Sequence, residues 1–240
     1  MNRTTSLLAY LLTATLLAAC SGQPIQRKDG SSSVRSFSVK DLAKGDVDDV
    51  IEISQQEMLG ILKTLTLKLY RRNPNEWRKS GFASADEATA ALFTPIAHWH
   101  LSPQRNLNWE TALHDAWRED FTADRVKALM NGLLVMHMAA FNHLTEFYLL
   151  TEMDAQKFYN AARNTEYVAW ELATRRGQNG ALLLISDQSS DKGMTDLSIE
   201  REFGKLIGLQ DTLAKIIEDK TNRAIRFGVV NAAGTLFLPI

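Results

Sequence analysis

The most continuous apolar stretch of the chain, Ala128 to Leu150 (ALMNGLLVMHMAAFNHLTEFYLL), carries hydrophobic residues on nearly every side over more than about five helical turns. A helix of that kind needs neighbours all round. The pattern predicts a central helix from about Ala123 to Leu150, N-capped by Thr122, with the other periodic segments as its wrapping. Its polar residues, Asn131, His137, Asn142, His143 and Glu146, are the first candidates for chemistry. On the helical wheel His137 shares a face with Met130, Leu133, Leu134 and Phe141, the setting of a hydrogen-bonded core histidine. The opposite face, Gly132, Val135 and Ala139, is small enough to admit another backbone, and Asn142, His143 and Glu146 continue that side.

The wrapping reads as helical too. From Asp46 to Arg72, Val47, Val50, Ile51, Met58, Ile61, Leu62, Leu65 and Leu69 fall on one face, acidic residues open the segment, basic residues close it, and Asn73-Pro74 stops it. Ser84 and Glu87 are spaced as a capping box for a short helix to Phe93, and another runs from about Trp109 to Arg118. Asp154 caps a helix from Ala155 to about Arg176, which should form an antiparallel hairpin with the central one. Residues 177–197 form a long connection with an apolar run, Ala181 to Ile185, expected to lie extended on the bundle, and a polar tip that could serve as a contact. The last long helix starts at Ser198 and stays in register to Phe227. Its Gly204 and Gly208 predict a close approach to the small face of the central helix. The expected fold is all-α: over residues 41–240, a single bundle of about four long helices plus short ones, with an extended segment near 181–186.

Charge changes this picture little. Lysine plus arginine (27) balances aspartate plus glutamate (28), so no overall field favours nucleic acid. The single cysteine, Cys20, excludes an internal disulfide framework and a cysteine-rich zinc site. No glycine-rich phosphate loop, GxSxG elbow or CxxCH motif calls for a cofactor.

The N-terminus is more specific. Arg3 precedes an apolar run from Leu7 to Leu17, too short to span a bilayer, and small residues then lead to the cysteine as Leu17-Ala18-Ala19-Cys20. This resembles the lipobox of bacterial lipoprotein precursors. The resemblance implies cleavage of residues 1–19 and lipidation of Cys20, whose acyl chains would anchor the protein at the membrane. Ser21, where the class carries aspartate for inner-membrane retention, implies the outer membrane, facing the periplasm. Residues 20–40, rich in serine, glycine and charge, read as a flexible tether behind that lipid.

Four groups of residues remain as sites. Lys68, Arg71, Arg72, Trp77, Arg78 and Lys79 could meet an anionic surface or partner, or could simply match a helix dipole. His98 and His100, two apart between Pro95 and Pro103, would point to one side of an extended segment and, with His114 and Glu110, sketch a weak metal site. His143 and Glu146 read HxxE, the reverse of a di-iron half-site, and no second carboxylate pair accompanies them. The apolar end, with Phe237 and Ile240, either docks into its own domain or offers itself to a partner. These features rank an adaptor or assembly factor for another envelope protein first. A small-ligand or lipid-binding body, with Met130, Met136, Met138 and Met153 lining a cavity, comes second, and a metal-dependent enzyme third.

Overall fold

The computed structural model describes residues 25–26, 32–33, 45–148, 150–186, 197–221 and 237–240. Residues 1–19, expected from the sequence to be an export signal, together with Cys20, the loop beyond Ser186 and Phe227, lie outside the described residues. In the N-terminal unit a two-residue antiparallel ladder pairs Ile25 with Ser33 and Gln26 with Ser32.

The second unit is helical, as the periodicity predicts. Its helices are α1 (Asp46–Arg72), α2 (Pro74–Lys79), α3 (Ala85–Phe93), α4 (Trp109–Trp117), α5 (Arg125–Ala140), α6 (Ala155–Thr174) and α7 (Ser198–Thr221). Two 3₁₀ segments, Thr94–Leu101 and Pro103–Asn106, link α3 to α4. None of the described helices is long and apolar enough to cross a membrane. In α1, Asp46, Asp48 and Asp49 sit in the first turn and Arg71 and Arg72 in the last, each complementing the helix dipole. Ile51, Met58, Leu62, Leu65 and Leu69 form its fully buried stripe.

The central helix is shorter than its apolar pattern. It begins at Asp124, not Thr122, because the Asp124 carboxylate accepts from Lys127 N–H at 2.8 Å. It ends at Ala140. Asn142 and His143 both adopt left-handed backbone angles, with φ of 54° and 56°. Asn142 N–H bonds Ala139 C=O and His143 N–H bonds Met138 C=O, the paired bonds of a Schellman cap. Asparagine tolerates the left-handed turn better than most residues, so polarity, not a break in hydrophobicity, stops the helix. The apolar sequence continues as an irregular segment in which Phe147 is buried and Leu150 is 94% exposed.

The packing partners also differ from expectation. The broadest contact of α5 is with α4, and that of α6 is with α7, so the predicted α5–α6 hairpin is a minor contact. Gly132 does mark a close approach, but to α4: a Cβ there would meet Leu113 side-chain atoms at 2.6 and 2.7 Å. Gly204 and Gly208 lie on the outer face of α7, where a Cβ would meet nothing within 4 Å among the described residues. Their GxxxG spacing faces away from the core because Ile199, Phe203, Leu206, Leu213 and Ile217 turn the opposite stripe inward.

Between α6 and α7 the chain turns at Gly180 and forms a lone bridge, Arg176 with Leu182. Leu184 is buried, and Asn73 holds Ile185 by two bonds, Ile185 N–H to Oδ1 at 2.8 Å and Nδ2 to Ile185 C=O at 3.0 Å. Arg72 donates to Ser186 C=O. The 181–186 segment is thus laid on the α1–α2 junction.

Candidate functional site

His137 is fully buried and belongs to a polar triad across α5, α6 and α7, in which Gln210 Oε1 has no hydrogen-bond partner among the described residues. The Thr165 hydroxyl donates to Ala161 C=O at 2.7 Å, so its oxygen accepts from His137 Nε2, 3.2 Å away. Nδ1 then accepts from Gln210 Nε2 at 2.9 Å. This network assigns the neutral Nε2–H tautomer. Burial without a counter-charge pushes the imidazole pKa down to about 3. With both ring nitrogens occupied, His137 is a neutral staple of three helices.

The Asn142, His143 and Glu146 corner is not a half-site. The first two residues form the α5 cap and the third lies in the irregular segment, so the helical spacing that an HxxE pair requires is absent. Asn142 is fixed by Lys157 Nζ and by Glu152 C=O, both at 3.0 Å. The His143 ring stacks on Trp99 at 5.9 Å, and burial, with Arg105 and Lys157 nearby, lowers its pKa. Glu146 accepts from the Tyr148 hydroxyl.

The basic cluster is largely spent within the fold. Lys68 bonds Glu202 at 2.7 Å and Ser198 C=O at 2.9 Å, Arg72 holds Ser186 C=O and the Ser198 hydroxyl, and Lys79 pairs with Glu76 at 2.7 Å. Arg71 reaches Asp86, and Arg78 lies 4.6 Å over the Trp77 ring, whose indole packs against the core. The charges of Lys68, Arg72 and Lys79 are thus engaged within the body, while Arg71, in an exposed pair, and Arg78, whose polar contact is Asn75 of its own helix, face solvent. Nearby, Asp124 accepts from the Tyr70 and Ser80 hydroxyls, and burial raises both its pKa and that of Tyr70.

The histidine grouping is corrected as well. Thr94–Leu101 is 3₁₀, not extended, with a kink at His98. His98 and His100 are exposed on either side of the buried Trp99, whereas the His114 ring lies against Phe237. Among the described residues no group of three potential ligands is placed to hold a metal. The four methionines do not share a cavity: Met130, Met136 and Met138 are packed in the hydrophobic core, and Met153, also in it, borders a cleft with Ile51 and Ile217.

What the fold does assemble is a groove filled by residues 237–240. Phe237 is 7% exposed in a socket of Trp109 and His114 from α4 and Tyr167 from α6, with ring centroids at 5.4, 5.4 and 5.3 Å and edge-on geometry to each. Such pairs add about 0.5–1.5 kcal/mol beyond area burial. The backbone that follows is held by a row of amides at helical spacing. Asn164, wholly buried, donates to Leu238 C=O and accepts from Leu238 N–H, both at 2.8 Å. Asn160 donates to Pro239 C=O at 2.8 Å and is itself oriented by Gln156. Ile240 packs against the core. The partner-facing reading of Phe237 and Ile240 is thus corrected to docking in their own domain, because the socket removes the phenyl ring from water. The amide row was legible only as Gln156, Asn160 and Asn164 recurring every fourth residue on a buried stripe of α6.

A second concavity, a cleft of about 380 Å³, opens between α1, α3, α5 and the prolines of the 3₁₀ segments. Its walls include Phe82, Ala88, Leu92 and Leu107, with Lys127 and Asn131 among its polar residues.

Comparison with protein-family models, with curated proteins and with solved structures finds no match to this chain.

Proposed function

We propose that the chain is a lipid-tethered adaptor of the bacterial envelope, fixed through Cys20 to the outer membrane and facing the periplasm, whose helical body holds or helps assemble another envelope protein. The observation that carries this reading is the groove of α4 and α6. It grips an extended backbone through Asn160 and Asn164 and one aromatic side chain through Trp109, His114 and Tyr167. Backbone-directed recognition with one anchoring pocket accepts any segment that brings the anchor and stays extended. Residues 237–240 are then the resident occupant, and a partner segment must outcompete an intramolecular ligand. The lipidated cysteine and the serine-rich stretch behind it would bring that groove to membrane-bound partners.

Two experiments test the reading. Cys20→Ser is expected to abolish incorporation of labelled palmitate and to release the protein from the membrane fraction; unchanged membrane association would refute the anchor. A photocrosslinker in place of Trp170, which is 46% exposed beside Tyr167, is expected to capture an envelope protein in intact cells. Capture should rise when residues 237–240 are removed and fall with Asn164→Leu; capture indifferent to both would reject the groove as the adaptor surface.

A further inference from the structure

The cleft between α1, α3 and α5 carries a second, independent inference. Its volume of about 380 Å³ lies within the roughly 300–1,000 Å³ of small-molecule sites. Phe82, Ala88, Leu92 and Leu107 give it apolar walls, and the Tyr70 hydroxyl in its lining is already committed to Asp124. Lys127 and Asn131 stand four residues apart on α5, hence on one face. The Lys127 ammonium forms no ion pair among the described residues, while its backbone N–H caps on Asp124.

The amide of Asn131 is oriented by its neighbour. Gln104 Nε2 donates to Leu92 C=O at 3.1 Å and to Asn131 Oδ1 at 2.9 Å, and Gln104 Oε1 accepts from the Ser102 hydroxyl at 3.3 Å. Because Gln104 spends its NH₂ on these acceptors, Asn131 turns its carbonyl toward Gln104 and keeps its own NH₂ for the cleft. An ammonium and an amide donor, one helical turn apart, thus border a mostly apolar trough.

We propose that this cleft binds a single-chain anionic amphiphile, its head group held between Lys127 and Asn131 and its alkyl chain lying over Leu92 and Phe82. The donors require a negative head, and walls of alanine, leucine and proline suit a methylene chain. Both a free fatty acid and a single-chain membrane phospholipid meet that description.

Titration calorimetry of the full chain with dodecanoate below its micelle concentration tests the proposal. The expected result is saturable binding at a single site, with dodecanol, the same chain without the charge, bound at least about tenfold more weakly. Lys127→Met should weaken dodecanoate by about tenfold, and Ala91→Trp, which fills the cleft from its exposed rim, should abolish binding with the helical circular dichroism unchanged. Lysophosphatidylglycerol that competes with dodecanoate assigns a membrane lipid as the source, and failure to compete assigns free fatty acid. Equal binding of dodecanol and dodecanoate, wild-type affinity in both variants, or no saturable binding overturns the proposal.

Discussion

Asn164 and Leu238 exchange two hydrogen bonds of 2.8 Å, the side-chain amide of one taking the place of a neighbouring strand for the backbone of the other. An asparagine side chain offers a donor and an acceptor in the same plane as a peptide group, so it can satisfy both backbone groups of one extended residue. Asn73 does the same for Ile185 at the α1–α2 junction. Replacing Asn164 with leucine leaves Leu238 without either partner. The expected cost is about 1–3 kcal/mol, read as a lower urea midpoint, with faster amide exchange at Leu238. Wild-type exchange at that amide would contradict the clamp.

His137 supplies a pH test. Its folded pKa of about 3 lies below the ordinary value of 6.5, so the unfolded chain binds the extra proton between these limits. Stability contributed by the neutral, buried ring is present above pH 6.5 and is lost as pH falls toward about 3. The slope in the middle of the window is about 1.4 kcal/mol per pH unit. His137→Gln is expected to be less stable at neutral pH and to lack this slope. Urea midpoints measured across the window for both proteins check it.

The glycines separate close packing from mere spacing. Gly132→Ala forces a methyl group to within 2.6 Å of Leu113 and should destabilise by about 1–3 kcal/mol. Gly204→Ala and Gly208→Ala meet nothing on the outer face of α7 and should each stabilise by about 0.5–1 kcal/mol through helix propensity. Thermal unfolding of the three variants gives opposite signs if the assignment is right.

Phe237 anchors the resident segment. Phe237→Ala removes three aromatic contacts and should cost about 2–3 kcal/mol, with the Trp109 indole N–H resonance shifting and exchanging faster as the socket opens to water. An unchanged resonance would mean that the ring does not seal the socket.

The elements that were legible in the sequence are those with local punctuation. The bounds of α1 follow from Asp46 and from Asn73-Pro74, α3 from the Ser84 cap, α6 from the Asp154 cap and α7 from Ser198. The hydrophobic wheel likewise identified His137 as a core residue. The end of α5 was hidden because its stop signal, two consecutive left-handed residues at Asn142 and His143, sits inside an unbroken apolar run. Small residues showed that a close approach exists without naming the partner: Gly132 meets Leu113, and the GxxxG step of α7 meets nothing. The groove was harder still, since amides such as Asn160 and Asn164 read as solvent-facing until residues 237–240 are laid against them. The fate of the basic cluster is legible only in part: Glu76, three residues before Lys79, is visible in the sequence, whereas Glu202 reaches Lys68 from the distant α7.

The adaptor reading depends on the groove accepting a segment supplied from outside. The most direct measurement is a titration of the Phe237→Ala full chain with a Phe-Leu-Pro-Ile peptide, followed by the indole N–H nuclear magnetic resonance of Trp109. The account predicts saturable binding that returns this resonance toward its position in the unsubstituted chain and that disappears when Asn164→Leu is added. A folded Phe237→Ala protein that shows no saturable response, or one whose response survives Asn164→Leu, would contradict it.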